Sequence, residues 1–405
     1  MTRTPLTAPP AKIISERLVV FLIGAVQFVN ILDFVMVTPL GPFYAEALAI
    51  PEERIGWVVG AYTIGGALSG FAGSFFLDRF DRRRALAVAA SGLALGTLSC
   101  AFAVGLWSLI GARFLAGAFG GPATSIAMAI VADLIPPERR GRAMGAVAGA
   151  FSVATVVGVP AGLLLARHGG WRQPFVVVAA LGAAVVVFCV SALPRLNRHI
   201  DPTRERLPLA ELLSRPTILL SYGMTAIVMF AGFVLIPNFP AYIVNNLGYP
   251  RDDYPYLYLV AGVFSFVSLR IAGRAVDRLG SFKVGTIASA AVIALVWAWL
   301  VLGLRIPVLV VFIAFMTVNA FRNVSYNTLT SKVPRPQERA RFMSIQSTVQ
   351  LAAMGFAAIL SGFLLSSGPG GKLVHMPALA LLSMAMTAIV PFFLYTVERR
   401  IGAAT

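Results

Sequence analysis

Twelve apolar stretches dominate this chain, with cores near residues 18–45, 55–77, 85–105, 107–132, 143–165, 173–193, 217–243, 254–276, 284–304, 307–330, 342–366 and 376–397. About 20 apolar residues in a helix match a hydrocarbon layer about 30 Å thick. Inside that layer every backbone amide needs a partner within its own segment, so separate spans of this length are helices. Hydrophobic residues make up 58% of the 405 and charged residues only 12%, outside the range of soluble domains. The expected class is an all-α membrane protein. The longest connection, residues 194–216, divides it into a six-span segment, 1–193, and a second one, 217–405.

The formal charge of +16 would suit a nucleic-acid partner if it were gathered on one surface. It is instead sorted by loop. With the N-terminus in the cytoplasm, 24 of the 33 Lys and Arg fall in cytoplasmic segments, 6 in loops on the other side and 3 (Arg113, Arg270 and Arg322) within spans. Basic loops stay inside, so both termini are expected to be cytoplasmic and nucleic-acid binding is not. The two cysteines, Cys100 and Cys189, lie in apolar spans and imply neither a disulfide nor a metal site. His168, His199 and His375 have no metal-ligand spacing, and no phosphate-binding glycine loop is present, so no cofactor, ATP drive or enzyme chemistry is indicated.

The two halves repeat. Pro39, Pro42 and Tyr44 recur 198 residues later as Pro237, Pro240 and Tyr242; Asp78 and Met144 recur 199 residues later as Asp277 and Met343. A near-constant offset at equivalent loops marks two homologous six-helix bundles, an arrangement that suits a transport site between them.

Charges inside spans carry the functional argument, because a carboxylate in hydrocarbon is costly. Asp33 sits about 15 residues above Leu18, roughly 22 Å up a core of about 30 Å. Arg113 lies about 6 residues, roughly 9 Å, below the opposite end of its span near Trp107. The two reach the same depth, so Asp33 and Arg113 are a candidate pair for proton coupling. Gln27, Asn30 and Asp33 share an arc of about 120° on the first span. Asn319, Arg322, Asn323 and Tyr326 occupy i, i+3, i+4 and i+7 of the tenth span and share a face. With Gln346 of the eleventh span, these are polar faces within otherwise apolar spans.

The segment Ser74–Leu86 (SFFLDRFDRRRAL) resembles the signature G-x-L-A-D-R-x-G-R-K-x-x-L of the major facilitator superfamily. Gly273–Lys283 (GRAVDRLGSFK) repeats its core in the second half. The first copy has Ser74 and Asp81 where the family usually carries glycine. Leu109, Arg113 and Gly117 are similar to the family's fourth-span pattern L-x-x-x-R-x-x-x-G. Gly158-Val159-Pro160-Ala161-Gly162 is similar to the exporter motif of the fifth span but differs in spacing, and reads as a packing and bending site.

The resemblance implies two pseudo-symmetric six-helix bundles whose first, fourth, seventh and tenth helices line a central cavity, so Gln27, Asn30, Asn319, Arg322, Asn323 and Tyr326, with Gln346, are the candidate substrate cavity. It implies a gate at the signature loops, with Asp78, Arg79, Arg82, Asp133, Asp277 and Arg278 as the latch and Arg82 beside Asp133. The function it implies is secondary active transport of a small molecule by alternating access, in a bacterial inner membrane and by a monomer. Proton-coupled efflux of drugs or metabolites is the expected form. The alternative is an importer or exchanger of an organic anion such as a polycarboxylate or organophosphate, because charges within spans sum to +2.

Overall fold

The structure is a computed structural model and describes residues 15–194, 196, 213–335 and 338–402. Among these residues are twelve helices long and apolar enough to cross a membrane. They are α1 (Glu16–Met36), α2 (Ile55–Phe76), α3 (Arg82–Ala101), α4 (Leu106–Leu134), α6 (Gln173–Ala192), α7 (Pro216–Phe233), α8 (Tyr254–Leu279), α9 (Ser281–Val296), α10 (Val308–Ser331), α11 (Arg339–Leu364) and α12 (Met376–Gly402), with α5 as the fifth span, Glu138–Gly169. A two-residue hairpin, β1 (Ser366–Ser367) with β2 (Leu373–Val374), joins α11 to α12.

The first six helices pack mainly on one another, through α2 on α4, α3 on α4 and α6, and α1 on α4, α5 and α6. The last six do the same, through α8 and α9 on α10 and α7 and α9 on α12, while α11 packs on α7. Two seams join the groups: α2 along α11, and α5 against α8. Glycine makes the first seam possible. A Cβ on Gly56 would run into the Ala358 carbonyl of α11 and one on Gly60 into Ile359; within the first half, one on Gly117 of α4 would run into the Tyr62 carbonyl of α2. Small residues let membrane helices close to backbone contact.

The first span of each half is shorter than its apolar run. Residues 18–45 read as one span, but α1 stops at Met36 and a separate turn of helix runs Gly41–Ala47. In the second half α7 stops at Phe233 and helix resumes at Phe239–Ala241. Pro42 and Pro240 each lie in the first turn of the resumed helix, where a missing N–H costs nothing. The two resumed segments pack against each other across the halves. α5 is also interrupted, by a π-turn at Ala154–Gly158.

The core is distributed unequally between the two faces. Towards the face carrying residues 48–54, 247–253 and 365–375, one apolar cluster runs through both halves, from Met36, Leu40 and Tyr44 to Phe239, Trp299 and Phe312. Towards the other face each half has its own cluster, one around Ile23, Ile126 and Val131, the other around Tyr222, Phe342 and Leu394. Polar links between halves follow the same division. Arg251 pairs with Glu46, Arg167 Nη2 lies 3.0 Å from Asp252 Oδ1, and Ser367 donates to Glu53, all at the first face. Of these pairs Arg167–Asp252 joins α5 to the segment before α8. Among the described residues the halves therefore share one apolar core and their ion pairs at the first face, and have separate apolar cores towards the second, where the α2–α11 seam still joins them. The start of α1 and the end of α12 lie at the second face: Arg139 Nη2 reaches Glu16 Oε1 at 3.1 Å, and Glu398 Oε1 accepts from Ser281 N at 3.0 Å.

Candidate functional site

Asp33 and Arg113 meet in the first half. Arg113 Nη1 donates to both carboxylate oxygens of Asp33, at 3.0 and 2.9 Å, and its Nη2 reaches the Asp33 carbonyl at 3.4 Å. Both side chains are 0% exposed. Thr97 Oγ1, from α3, donates to Asp33 Oδ1 at 2.8 Å. The Arg113 guanidinium lies over the Tyr62 ring, 4.4 Å from its centroid, a favourable placement for a cation on an aromatic face. The Tyr62 hydroxyl then donates to Asn30 Oδ1 at 2.6 Å, and Asn30 Nδ2 donates to the Gly120 carbonyl and to Thr124 Oγ1 at 2.9 and 2.6 Å. Four helices, α1 to α4, thus hold one buried charge pair. Arg113 does not extend towards an interface. Asn30, placed by sequence on the cavity stripe, is engaged by α2 and α4. Tyr62 and Thr97 escaped notice because an isolated hydroxyl in a span names no partner.

The pair is closed off by aromatic rings. Phe34 stacks on Tyr62 at 5.4 Å and on Phe233 of α7 at 6.1 Å between centroids. That second contact crosses between the halves, below the shared core.

In the second half, Arg322 is 3% exposed on α10. Its Nη2 donates to Asn319 Oδ1 at 2.7 Å and its Nη1 to Thr387 Oγ1 of α12 at 3.4 Å. Asn319 Nδ2 donates back to the Phe315 carbonyl. Tyr326 is buried, and Asn323 is partly exposed. Gln27 and Gln346 are buried too, and their side-chain oxygens have no partner among the described residues.

At the second face, Arg82 Nε lies 2.5 Å from Asp133 Oδ2, joining α3 to the end of α4 within the first half. The structure places Arg79, Asp277 and Arg278 at exposed positions on this face; the side chain of Asp78 lies outside the described residues. Among the described side chains, Asp81 and Glu398 cap helices at this face. Asp81 Oδ1 accepts from Arg84 N at 3.0 Å to start α3, its Oδ2 accepts from Leu196 N at 2.8 Å, and Glu398 of α12 caps the start of α9. A carboxylate at a helix N-terminus meets unsatisfied N–H groups and the positive dipole end. Asp81, a departure from the signature glycine, is thus the cap. Arg215 pairs with Glu338 at the start of α11.

Among the described residues, twelve spanning helices in two groups, joined at one face and carrying a buried ion pair nearer to that face, define a multi-pass membrane protein of the transporter class. The chain belongs to the Major Facilitator Superfamily, whose sequence profile matches residues 23–358. It is 25% identical over 273 residues to YceJ of Bacillus subtilis, an uncharacterized MFS-type transporter, covering 65% of this chain and 68% of YceJ. It is 28% identical over 265 residues to the purine ribonucleoside efflux pump NepI of Escherichia coli O6:K15:H31, covering 64% of each. The chain thus matches about two thirds of the length of these relatives. Among solved structures, a bacterial homologue of the human lysosomal transporter Spinster, inward-facing and occupied, superposes with a TM-score of 0.72 at 18% identity, covering 97% of this chain and 98% of the other. At that identity the likeness is one of fold.

Proposed function

We propose that this chain exports a small drug-like or metabolite molecule across a bacterial inner membrane in exchange for protons, by alternating access and as a monomer. The observation that carries the reading is the Asp33–Arg113 pair, fully sealed from solvent while the first face is closed. Among the described residues Asp33 and Glu338 are the buried acids, and Glu338 belongs to the end of α11. Asp33 is thus the one buried acid inside a span. A buried carboxylate needs either a cation or a proton. Opening the first face to the periplasm admits water to Asp33 and lets a proton replace Arg113 as its partner. Closing that face and opening the second to the cytoplasm restores the ion pair and releases the proton inward.

In this reading residues 1–193 and 217–405, divided by the cytoplasmic loop 194–216, rock against each other. Both termini lie in the cytoplasm, as the basic loops of the second face require. Asp78, Arg79, Arg82, Asp133, Asp277 and Arg278 hold that face when it closes. Gln27, Asn319, Arg322, Asn323, Tyr326 and Gln346 face the substrate, and Asn30 positions Tyr62 under Arg113. The export direction draws support from NepI, named as an efflux pump.

The test is Asp33→Asn in proteoliposomes, with a radiolabelled compound that stabilises the purified wild type. Wild type should concentrate substrate when driven only by a proton gradient. Asp33→Asn should lose that uphill movement and keep exchange at equal pH. Uphill movement by Asp33→Asn would remove Asp33 as the coupling site.

A further inference from the structure

The two halves treat their buried arginines differently. Arg113 has a carboxylate; Arg322 has none. Among the described residues its side-chain partners are one amide oxygen and one hydroxyl, and its Nε has no partner at all. The repeat shows how this arises. The position 198 residues after Asp33 is Ala231, so the acid that serves the first half is absent from the second. Gly232, next in sequence, faces Arg322: a Cβ there would lie 3.5 Å from Nη2, an ordinary contact. Thus α7 approaches the guanidinium with backbone and without a counter-charge.

A lone cation inside a span is costly and needs a compensating anion. The neighbouring polar atoms indicate where that anion comes from. Arg322 shares its helix face with Asn319, Asn323 and Tyr326. The side-chain oxygens of Asn323, Gln27 and Gln346 have no hydrogen-bond partner among the described residues. Counted from the second-face ends of their helices, Gln27, Arg322 and Gln346 lie at depths of roughly 16, 14 and 10 Å, at 1.5 Å per residue. They lie at similar depth, on the side of the molecule where each half has its own apolar core, farther from the first face than the Phe34–Phe233 stack. This level offers an unused guanidinium N–H together with unused amide oxygens, which are acceptors. Its complement is a molecule with one negative group and several hydrogen-bond donors.

We propose that Arg322 is the anchor of a substrate site for small organic anions, carboxylates or phosphate monoesters, that also carry hydroxyl or amino donors. This rests on the transporter reading above and names its substrate class. The anionic group pairs with Nε and one terminal nitrogen of Arg322. Its donors go to Asn323, Gln27 and Gln346. Binding would bring α1, α10 and α11, and so both halves, onto one ligand.

The experiment is equilibrium binding to the purified full-length protein at one fixed pH, read as thermal stabilisation and then by isothermal titration. The panel consists of small hydroxylated carboxylates and phosphate monoesters, each beside its uncharged parent: gluconate with glucose, and adenosine monophosphate with adenosine, among them. At least one anion should stabilise the wild type at concentrations where its neutral parent does not. Arg322→Gln should weaken that anion tenfold or more. Arg322→Lys, which keeps the charge and loses the planar fork, should retain part of the affinity. If Arg322→Gln does not fold, the wild-type comparison of each anion with its parent decides alone. The proposal is overturned if no anion of the panel stabilises, if the neutral parents bind equally well, or if Arg322→Gln binds the anion unchanged. Fixed-pH binding does not require proton coupling. Failure here with proton-driven transport intact would remove the substrate class alone; anion binding without proton-driven uptake would instead remove the coupling reading.

Discussion

Removing one member of the Asp33–Arg113 pair should cost far more than removing both. In Asp33→Asn, Arg113 keeps its charge, stays 0% exposed, and loses a two-pronged interaction with the carboxylate. The Tyr62 ring remains over the guanidinium, but a ring face worth about 0.5–2 kcal/mol does not replace an anion. Breaking a buried ion pair on one side typically costs about 3–5 kcal/mol, because the remaining charge is uncompensated. The same range applies to Arg113→Gln, which strands the carboxylate with Thr97 as its remaining side-chain donor. In Asp33→Asn/Arg113→Gln neither charge is left. The double variant should therefore be more stable than either single one, with a coupling energy of at least about 2 kcal/mol by the cycle. The assay is unfolding of the four proteins in mixed micelles by titration with a denaturing detergent, followed by tryptophan fluorescence. Additive losses, or an Asp33→Asn protein as stable as wild type, would show that the two charges do not depend on each other in the membrane.

Three further outcomes follow from the geometry. Arg251→Glu sets two acids against each other at the first face, but the Arg251–Glu46 pair is 45% and 65% exposed; surface pairs are worth about 0–1 kcal/mol, so labelling of a cysteine at that face should rise less than about fivefold. Gly56→Leu, driven into the Ala358 backbone, should raise the same labelling much more; equal effects would remove the α2–α11 seam as the seal. Asp81→Ala removes the cap of α3 and should cost about 0.5–2 kcal/mol of stability, with Asp81→Asn milder than Asp81→Ala in the same detergent titration.

The depth of a charge was legible in the sequence, because helix rise turns residue number into height; that brought Asp33 and Arg113 to one level before any contact was known. The number of spans was legible for the same reason, since bilayer thickness fixes their length. The breaks after Met36 and Phe233 were not, because the residues that follow are as apolar as the helices themselves. Only the paired prolines hint at them. The capping role of Asp81 was hidden by the signature, which drew attention to the glycine it replaces. Tyr62 and Thr97 show the general limit: a single hydroxyl in a span is compatible with packing, with a bond to its own helix, or with a distant charge. Thr97 in fact serves both its own helix and Asp33, donating near the Leu93 carbonyl at 2.9 Å and near Asp33 at 2.8 Å.

In the alternating-access cycle proposed above, the residues of the one apolar cluster that runs through both halves at the first face belong to the switch as much as to the fold. Parting the halves there wets Phe239, Tyr44 and their neighbours, while the helices behind them stay assembled. Truncating such a side chain weakens the sealed arrangement without unpicking either bundle, so a core substitution in this region reads out as a change in which side of the membrane the protein faces. The heat capacity of exposing apolar surface is attached to that change too. Temperature should therefore tilt the occupancy of the two faces by the difference between what one opening exposes and what the other closing covers.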